Sequence, residues 1–360
     1  MIRILIVDDS AFMRKVITDL FNEAKDFQVV GTAKNGKEAV ELVEKLNPDL
    51  VTMDVEMPIM NGLDALEQIM QKHPVPVVMF SSLTHEGADA TIKALSLGAV
   101  DFVAKTGGSI SSVDGIKNEV REICRNAAKA NLKRFSKLSS YNFLKEKTQV
   151  TTMPKNIMTT KVVTPLKTGN NKYKIVAIGT STGGPRALQE IITKLPENYP
   201  YPVVIVQHMP VGFTKSLANR LDFISKIKVK EAEQDDRLVP GTVYIAPGGY
   251  HMRFITKAND VFVNLTKDEL VNGHRPAVDP MFESVSAVYG SAVIAVILTG
   301  MGGDGAQGMQ LIKNKGGYNI AESQNTAVVF GMPKVAIEKG VVDRVVDLGD
   351  IAKELISFTI

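Results

Sequence analysis

Three side chains in the second half of the chain have the types and positions that acyl transfer requires. Ser181 lies in the pattern Gly-Thr-Ser-Thr-Gly, His208 directly follows an apolar run, and Asp304 lies in a loop with four glycines around it. A serine becomes a nucleophile when a histidine removes its proton and an acid orients that histidine. Each residue follows a strand-like run, and the carboxyl ends of parallel strands meet at one edge of a sheet. The three residues are therefore candidates for a nucleophile, a base and an orienting acid.

Each member of this set has an alternative interpretation. A glycine-rich turn before a helix, with Pro185 as the first helical residue, can expose a serine or hold a phosphate group. The turn lacks both the dinucleotide-binding spacing and the P-loop spacing, which weakens the nucleotide-binding interpretation. Position ranks His208 first as the base, but His251 and His274 are also present in this half of the chain. Asp304 could instead cap a flexible turn.

Three aspartates in the first third of the chain are placed to share another site. Asp8 and Asp9 end the first apolar run, and Asp54 ends the third. Carboxylates gathered at one sheet edge repel each other unless a cation is present, and oxygen ligands suit Mg²⁺. The same cation would neutralise a phosphoryl group arriving at Asp54, which could form an acyl phosphate.

Further side chains at the same predicted edge fit such a site. Lys105 ends the fifth strand-like run and could add a positive charge, and Ser81 offers a hydroxyl to phosphate oxygens. Phe102 is a bulky neighbour that could change rotamer when Ser81 moves. A single aspartate at a strand end is more simply a helix N-cap, but the whole set at successive strand ends favours a phosphorylation site.

The elements that must position these residues alternate regularly. Residues 1–120 contain five β/α units with continuous apolar strands, and the alternation returns at Lys174. This pattern predicts two α/β domains with doubly wound parallel sheets, the first of them a flavodoxin-like (βα)5 unit. The strand-like runs of the second domain are 175–179, 203–207, 242–246, 292–298, 318–321 and 341–343.

A basic segment separates the two patterns. Between Arg125 and Lys174 there are twelve Lys or Arg and one acid, so this stretch carries +11 while the whole chain carries only +3. Such a composition without an apolar period is typical of a mobile linker. We predict a first domain at 1–122, a linker at 123–172 and a second domain at 173–360. The linker is either a solvated tether or a docking segment for an acidic partner.

The overall composition is that of a soluble protein. Hydrophobic residues make up 44% and charged residues 22%, and no apolar run is long enough for a membrane helix. The N-terminal run becomes acidic too early for a signal peptide. The single cysteine, Cys124, excludes an internal disulfide and is expected to be inert. We therefore expect a cytoplasmic protein without membrane insertion.

The first domain resembles the receiver domain of response regulators. The resemblance rests on Ile-Leu-Ile-Val-Asp8-Asp9-Ser, Asp54-Val-Glu-Met-Pro-Ile-Met-Asn-Gly, Ser81-Ser and Lys105. It implies that Asp54 accepts a phosphoryl group and that Asp8 and Asp9 hold Mg²⁺ with it.

The second domain resembles the catalytic domain of the chemotaxis response-regulator protein-glutamate methylesterases. The matching motifs are Gly-Thr-Ser181-Thr-Gly-Gly-Pro, Gln-His208-Met-Pro, Ala-Pro-Gly-Gly-Tyr-His251 and Leu-Thr-Gly-Met-Gly-Gly-Asp304-Gly, with Ala-Val-Val-Phe-Gly-Met-Pro333 near the end. The resemblance implies a Ser181, His208 and Asp304 triad that needs no cofactor.

The same resemblance implies a substrate and a regulator. The substrates would be methylated glutamates, and certain glutamines, of methyl-accepting chemoreceptors, and a chemotaxis histidine kinase would supply the phosphoryl group. The receiver would shield the active site until Asp54 is phosphorylated. Spacing suggests the N–H groups of Thr182 and Met301 as oxyanion donors.

Two other classes of protein remain to be distinguished from this interpretation. One is a phosphorylation-controlled binding protein without catalysis, in which the glycine-rich loops hold a ligand. The other is a DNA-binding response regulator. The second domain has no helix-turn-helix pattern and no basic recognition helix, so nucleic acid is not an expected partner.

Overall fold

The computed structural model describes residues 1–105, 114–130 and 174–359. Most of the predicted linker, 123–172, therefore lies outside the described residues. The described part before it forms one α/β domain, and the part after it forms a second. No helix in the described ranges combines the length and apolarity needed to cross a membrane.

The first domain is a five-stranded parallel sheet with the strand order β2-β1-β3-β4-β5. Its strands are β1 (Ile2–Val7), β2 (Phe27–Ala33), β3 (Leu50–Asp54), β4 (Val77–Ser82) and β5 (Asp101–Lys105). Its helices are α1 (Ala11–Asn22), α2 (Gly36–Leu46), α3 (Gly62–Lys72), α4 (His85–Leu97) and α5 (Asp114–Ala127). The predicted (βα)5 unit is confirmed.

Side-chain caps start four of these helices. Ser10, Asn35, Asn61 and Thr84 each accept a hydrogen bond from a backbone N–H in the first turn of the next helix. Such caps satisfy amide groups that have no partner within the helix. They fix where each helix leaves its strand, and hence the edge at which Asp8, Asp9 and Asp54 lie.

The second domain is built on a seven-stranded sheet with the order β14-β13-β12-β6-β7-β9-β8, and every pair in it is parallel. Its strands are β6 (Ile175–Thr180), β7 (Val203–Gln207), β8 (Lys228–Glu231), β9 (Thr242–Ile245), β12 (Val293–Ile297), β13 (Tyr318–Glu322) and β14 (Arg344–Val346). Strands β6, β7 and β12 are completely buried, as continuous apolar runs covered on both faces must be.

Helices cover both faces of this sheet. They are α6 (Gly184–Ile192), α7 (Phe213–Ile224), α8 (Val278–Tyr289), α9 (Ala306–Asn314), α10 (Met332–Glu338) and α11 (Leu348–Ser357). An antiparallel hairpin of β10 (His251–Lys257) and β11 (Asp260–Thr266) packs against α8. The doubly wound architecture predicted for this domain is confirmed, with the hairpin as an addition.

The second domain differs from the sequence prediction in two respects. The last strand is Arg344–Val346, whereas the prediction of 341–343 was wrong because Val341 is buried outside the sheet. Strand β8 and the hairpin were not predicted. Helix α5 runs to Ala127, and Cys124 and Ala127 lie in the first domain's core.

Candidate active site

The three predicted triad residues lie at one edge of the second sheet. Strand β6, which ends just before Ser181, lies between β12 and β7. The N–H of His208 donates to Thr180 O at 3.2 Å, so the residue after β7 lies beside the residue before Ser181. Asp304 follows β12 on the other side, and its carboxylate reaches across to His208. The structure therefore pairs the side chains of His208 and Asp304 and places the backbone of the Ser181 turn beside that of His208.

The Asp304 carboxylate is held by several donors. Its Oδ2 lies 2.8 Å from His208 Nε2 and accepts the N–H of Val278 at 2.6 Å, while Oδ1 accepts the N–H of Asp279 and the amide of Asn272, both at 3.0 Å. Burial alone would raise the pKa of Asp304, but the hydrogen bond and charge of His208, with the backbone donors, lower it below its ordinary range. Asp304 does cap a helix, since Val278 and Asp279 begin α8, but it also orients His208.

The arrangement of the His208 ring identifies its basic nitrogen. An ionised Asp304 only accepts hydrogen bonds, so Nε2 must carry the proton. The other nitrogen, Nδ1, is buried and has no hydrogen-bond partner in the described structure. A buried nitrogen left with a free lone pair is costly unless a donor arrives there. His208 Nδ1 is therefore available to take a proton.

Close backbone approach shapes the turn around Ser181. The N–H of Ser181 donates to Thr299 O at 3.0 Å, and that of Gly184 donates to Ser181 O at 2.8 Å. A Cβ at Gly300 would lie 2.9 Å from Ser181 Cβ, and one at Gly184 would lie 1.9 Å from Gln207 Oε1. Any larger residue would clash at these two positions. The glycines therefore allow the Gly300 loop to pack against Ser181 and the start of α6 to pack against Gln207.

Gln207 links the backbone of Ser181 to that of His208. Its Nε2 donates to Ser181 O at 3.0 Å and to His208 O at 3.2 Å. The side chain is 2% exposed, so no water replaces these bonds readily. The sequence analysis did not identify Gln207, although a polar side chain at the end of the apolar strand β7 is a pattern that could have indicated a site residue.

The two other histidines have different roles from His208. His251 is fully buried, its Nε2 lies 3.0 Å from Glu269 O, and its Nδ1 accepts the N–H of Ala277 at 3.3 Å. Both of its nitrogens are used by the backbone, so it is a structural residue. His274 lies in the site, with its ring stacked on that of His208 at a centroid distance of 4.0 Å.

The first domain contacts both residues suggested as oxyanion donors. The Thr182 hydroxyl donates to Asp101 Oδ2 at 2.5 Å, and Asn126 Nδ2 lies against Met301 Sδ. Asp101 begins β5 and Asn126 lies in the last turn of α5. The N–H groups of Thr182 and Met301 take no part in the hydrogen bonds that shape the Ser181 turn. The first domain therefore holds the side chains of the two residues whose backbones could bind an oxyanion.

Aromatic packing extends this contact. Phe102 of β5 stacks on Phe213, the first residue of α7, with ring centroids 4.6 Å apart and planes 20° apart. Both rings are buried. Helix α4 packs against α6 and α7 of the second domain. Burial at this contact raises the pKa of Asp101 to about 6, although the hydrogen bond from Thr182 partly opposes that rise.

The predicted acid cluster of the first domain also assembles. One oxygen each of Asp8, Asp9 and Asp54 lie within 4.8 Å of one another. Lys105 Nζ lies 2.9 Å from Asp8 Oδ2 and 2.7 Å from Asp54 Oδ2. Burial raises the pKa of Asp54, and Lys105 only partly offsets this. Burial would lower the pKa of Lys105, but its hydrogen bonds to Asp54 and Asp8 raise it. The oxygen-only donor set fits Mg²⁺.

Ser81 of β4 and Phe102 of β5 each make a specific contact away from the acid cluster. The Ser81 hydroxyl is fully buried and donates to Gly87 O of helix α4 at 2.9 Å. It is therefore turned toward the helix that packs on the second domain. Phe102, predicted to be a rotamer switch, has its ring in the contact with Phe213.

Comparisons with known proteins extend over both domains. Residues 176–355 match the family model described as CheB methylesterase, and residues 4–111 match the response regulator receiver domain. A protein-glutamate methylesterase/protein-glutamine glutaminase of Pyrococcus horikoshii is 47% identical over 356 residues, which cover 99% of this chain and 93% of the relative. A protein of the same name from Archaeoglobus fulgidus is 48% identical, with 99% and 97% covered.

A solved structure agrees with the second domain. The crystal structure of the Thermotoga maritima CheB methylesterase catalytic domain is 52% identical and superimposes with a TM-score of 0.51. The match covers 51% of this chain and 98% of that one.

Proposed function

The chain belongs to the family of CheB methylesterases that carry a response regulator receiver domain, and on that premise we propose that Ser181, His208 and Asp304 perform its hydrolysis. The activity is that of a protein-glutamate methylesterase and protein-glutamine glutaminase under the control of phosphorylation. The observation that carries the residue assignment is the pairing of Asp304 with His208 Nε2 beside an unpartnered, buried Nδ1.

The mechanism is built on these contacts. His208 Nδ1 takes the Ser181 proton while the serine oxygen bonds to the carbonyl carbon of a glutamate methyl ester. His208 returns the proton to the methoxy oxygen, methanol leaves, and a glutamyl-serine ester remains. Water then attacks this ester with His208 again as base, which releases glutamate and restores the serine. A glutamine takes the same course and loses ammonia.

Asp304 and the glycine-rich loops support charge in both steps. Asp304 stabilises the imidazolium form of His208, since an ionised acid lies against the protonated ring. We assign the oxyanion to the N–H groups of Thr182 and Met301, which lie in the two loops that meet at Ser181. Each such donor is typically worth about 3 kcal/mol of transition-state stabilisation.

Methanol release from methylated receptor membranes tests the triad. We expect Ser181→Ala to abolish release, and Asp304→Asn to lower kcat strongly. Ser357→Ala, an exposed serine in α11, is the matched control and should behave like the native chain. Full release by Ser181→Ala would disprove the assigned nucleophile.

For the receiver domain we propose Asp54 as the phosphoryl acceptor, with Asp8 and Asp9 completing a Mg²⁺ site. When bound, the ion would neutralise charge on the phosphoryl group. Lys105 already bridges Asp8 and Asp54 and would pair with the phosphate oxygens. The Ser81 hydroxyl would have to leave Gly87 O to reach them. The phosphoryl group would come from a histidine kinase.

We propose that the unphosphorylated receiver restrains the active site that it covers. The support lies in the Asp101–Thr182 hydrogen bond, in the contact of Asn126 with Met301 and in the Phe102–Phe213 stack. Phosphorylation would draw Ser81 away from α4 and free this surface. The substrate is then a chemoreceptor segment that takes the receiver's place.

A phosphorylation experiment tests this coupling. Asp54→Asn should keep the basal release of methanol and lose the increase that a small phosphodonor produces. Asp19→Asn, an exposed aspartate of α1, is the control and should respond normally. A response by Asp54→Asn would contradict the assigned acceptor.

A further inference from the structure

The ring of His274 covers one face of the ring of His208. The two ring centroids are 4.0 Å apart and the planes differ by 18°. His208 is fixed at its edge by Asp304, but a single hydrogen bond leaves the ring free to turn about that bond. A parallel ring against its face removes that freedom.

A tight turn holds His274 in this position. Val271 and His274 exchange backbone hydrogen bonds at 3.2 and 3.0 Å around Asn272 and Gly273. Both central residues have positive φ, 53° and 81°, the conformation that a two-residue hairpin turn requires. The Asn272 amide donates to Asp304 Oδ1 at 3.0 Å, which ties the turn to the acid of the triad.

The surroundings keep His274 uncharged. Burial, and then the neighbouring His208, lower the pKa of His274 to about 4, against an opposing effect of Asp304. Asp279 also faces this turn through Asn272. The adjacent Arg275 is directed elsewhere, to the carbonyls of Lys267 and Asp268. His274 is therefore neutral at every pH at which a neutral histidine could act as the base.

We propose that His274 is a positioning residue for the general base, acting through its aromatic face rather than through proton transfer. His274 keeps the His208 ring in the orientation in which Nε2 donates to Asp304. In that orientation Nδ1 can accept the proton of Ser181. Its neutral ring also stabilises the imidazolium that forms when His208 takes the serine proton. The proposal rests on the triad proposed above.

Two substitutions of similar bulk separate stacking from packing. His274→Phe keeps a flat ring without a titratable group, whereas His274→Leu fills the space without a ring. In the phosphodonor-activated full chain we expect His274→Leu to lower kcat about tenfold with KM unchanged, and His274→Phe to stay within about twofold of native. The Phe variant should also keep the native profile of kcat against pH from about pH 6 to about pH 9.

Each contrary result has a definite meaning. Equal losses in the Phe and Leu variants would overturn the proposal, because packing or proton transfer would then explain them. A fully active Leu variant would overturn it as well. Ser181→Ala, assayed in parallel, keeps this test separate from that of the triad: activity in Ser181→Ala would remove the triad itself, whereas inactivity there with a fully active Leu variant would remove only the role of His274.

Discussion

Asp101 of the receiver accepts a hydrogen bond from the hydroxyl of Thr182, the residue directly after the proposed nucleophile Ser181. This one contact joins the first residue of β5, the strand that ends in Lys105, to the turn that presents Ser181. Asp101 is half-buried where the two domains meet, so the ionisation of its carboxyl group bears on whether they stay together.

The receiver should hold the active site more weakly as the pH rises. The pKa of Asp101 is raised to about 6 in the docked state and returns toward its ordinary value near 3.8 when the domains separate. The docked state therefore favours the protonated acid, and its stability falls as the pH rises between these values. From about pH 5 to about pH 7 the docking equilibrium should weaken roughly tenfold.

The activity of the native chain, divided by that of Asp101→Asn, isolates the effect of Asp101 ionisation on docking. Asparagine keeps an acceptor for Thr182 but does not ionise, and the second domain is the same in both proteins. Without phosphodonor, the native-to-variant ratio should rise about tenfold over that range, with the variant less active at neutral pH. A ratio that does not change with pH would show that Asp101 is not buried by docking.

Phe102→Leu should raise basal activity. Loss of the stack on Phe213 removes the free energy with which an aromatic pair stabilises docking. Methanol release without phosphodonor should therefore increase severalfold. The activity with phosphodonor should not change, because phosphorylation is proposed to release this contact. Phe223→Leu, an exposed ring on the same helix as Phe213, is the control. Unchanged basal activity in Phe102→Leu would argue against restraint by this contact.

Gln207→Glu should reduce kcat about a hundredfold at about pH 8, because a carboxylate would replace the donor that now binds two carbonyl oxygens. Gln207→Met keeps the length without the donor, and we expect a loss of about tenfold. KM should stay the same in both, since Gln207 lies behind the turn. Steady-state methanol release gives both constants, and a Glu variant with native kcat would exclude the bridging role.

Glu322 should make the second domain less stable at high pH. This residue at the end of β13 is completely buried and accepts the N–H of Thr299 at 2.8 Å and the Thr326 hydroxyl at 3.0 Å. Burial raises its pKa to about 7, so the fold favours the protonated acid. Stability is then full below pH 4.5 and falls by roughly 3 kcal/mol as the pH rises to about 7.

Denaturant unfolding at about pH 5 and about pH 8 checks this prediction. The native chain should lose stability between the two, and Glu322→Gln should lose much less, because glutamine does not ionise. The same loss in both proteins would mean that Glu322 stays ionised or that another group dominates.

Residues at strand ends could be placed from the sequence alone. Ser181, His208 and Asp304 each come after an apolar run, and parallel pairing brings such positions together without any knowledge of the rest of the chain. The same logic placed Asp8, Asp54 and Lys105 correctly. The contacts of His208 with Asp304, and of Lys105 with Asp8 and Asp54, agree with that reasoning.

The remainder depends on contacts that no local pattern encodes. Asp101 and Asn126 act on the other domain, and nothing in the spacing of either residue marks it as a surface partner of Thr182 or Met301. The stack of His274 on His208 needs the Asn272–Gly273 turn to fold back over the sheet edge. The hairpin β10–β11 was missed for the same reason, since it packs beside the sheet rather than within it.

The three adjacent strands beneath Ser181, His208 and Asp304 also bear on engineering. Since β12, β6 and β7 are hydrogen-bonded neighbours in one buried sheet, the strands that precede the proposed triad residues are fixed relative to one another. We therefore expect the activity to be regulated by a second domain that covers the site and can be released from it. We expect the catalytic half to accept unrelated covers, such as a ligand-binding domain fused in place of the receiver, as long as each contacts Thr182 and Met301 in only one of its states.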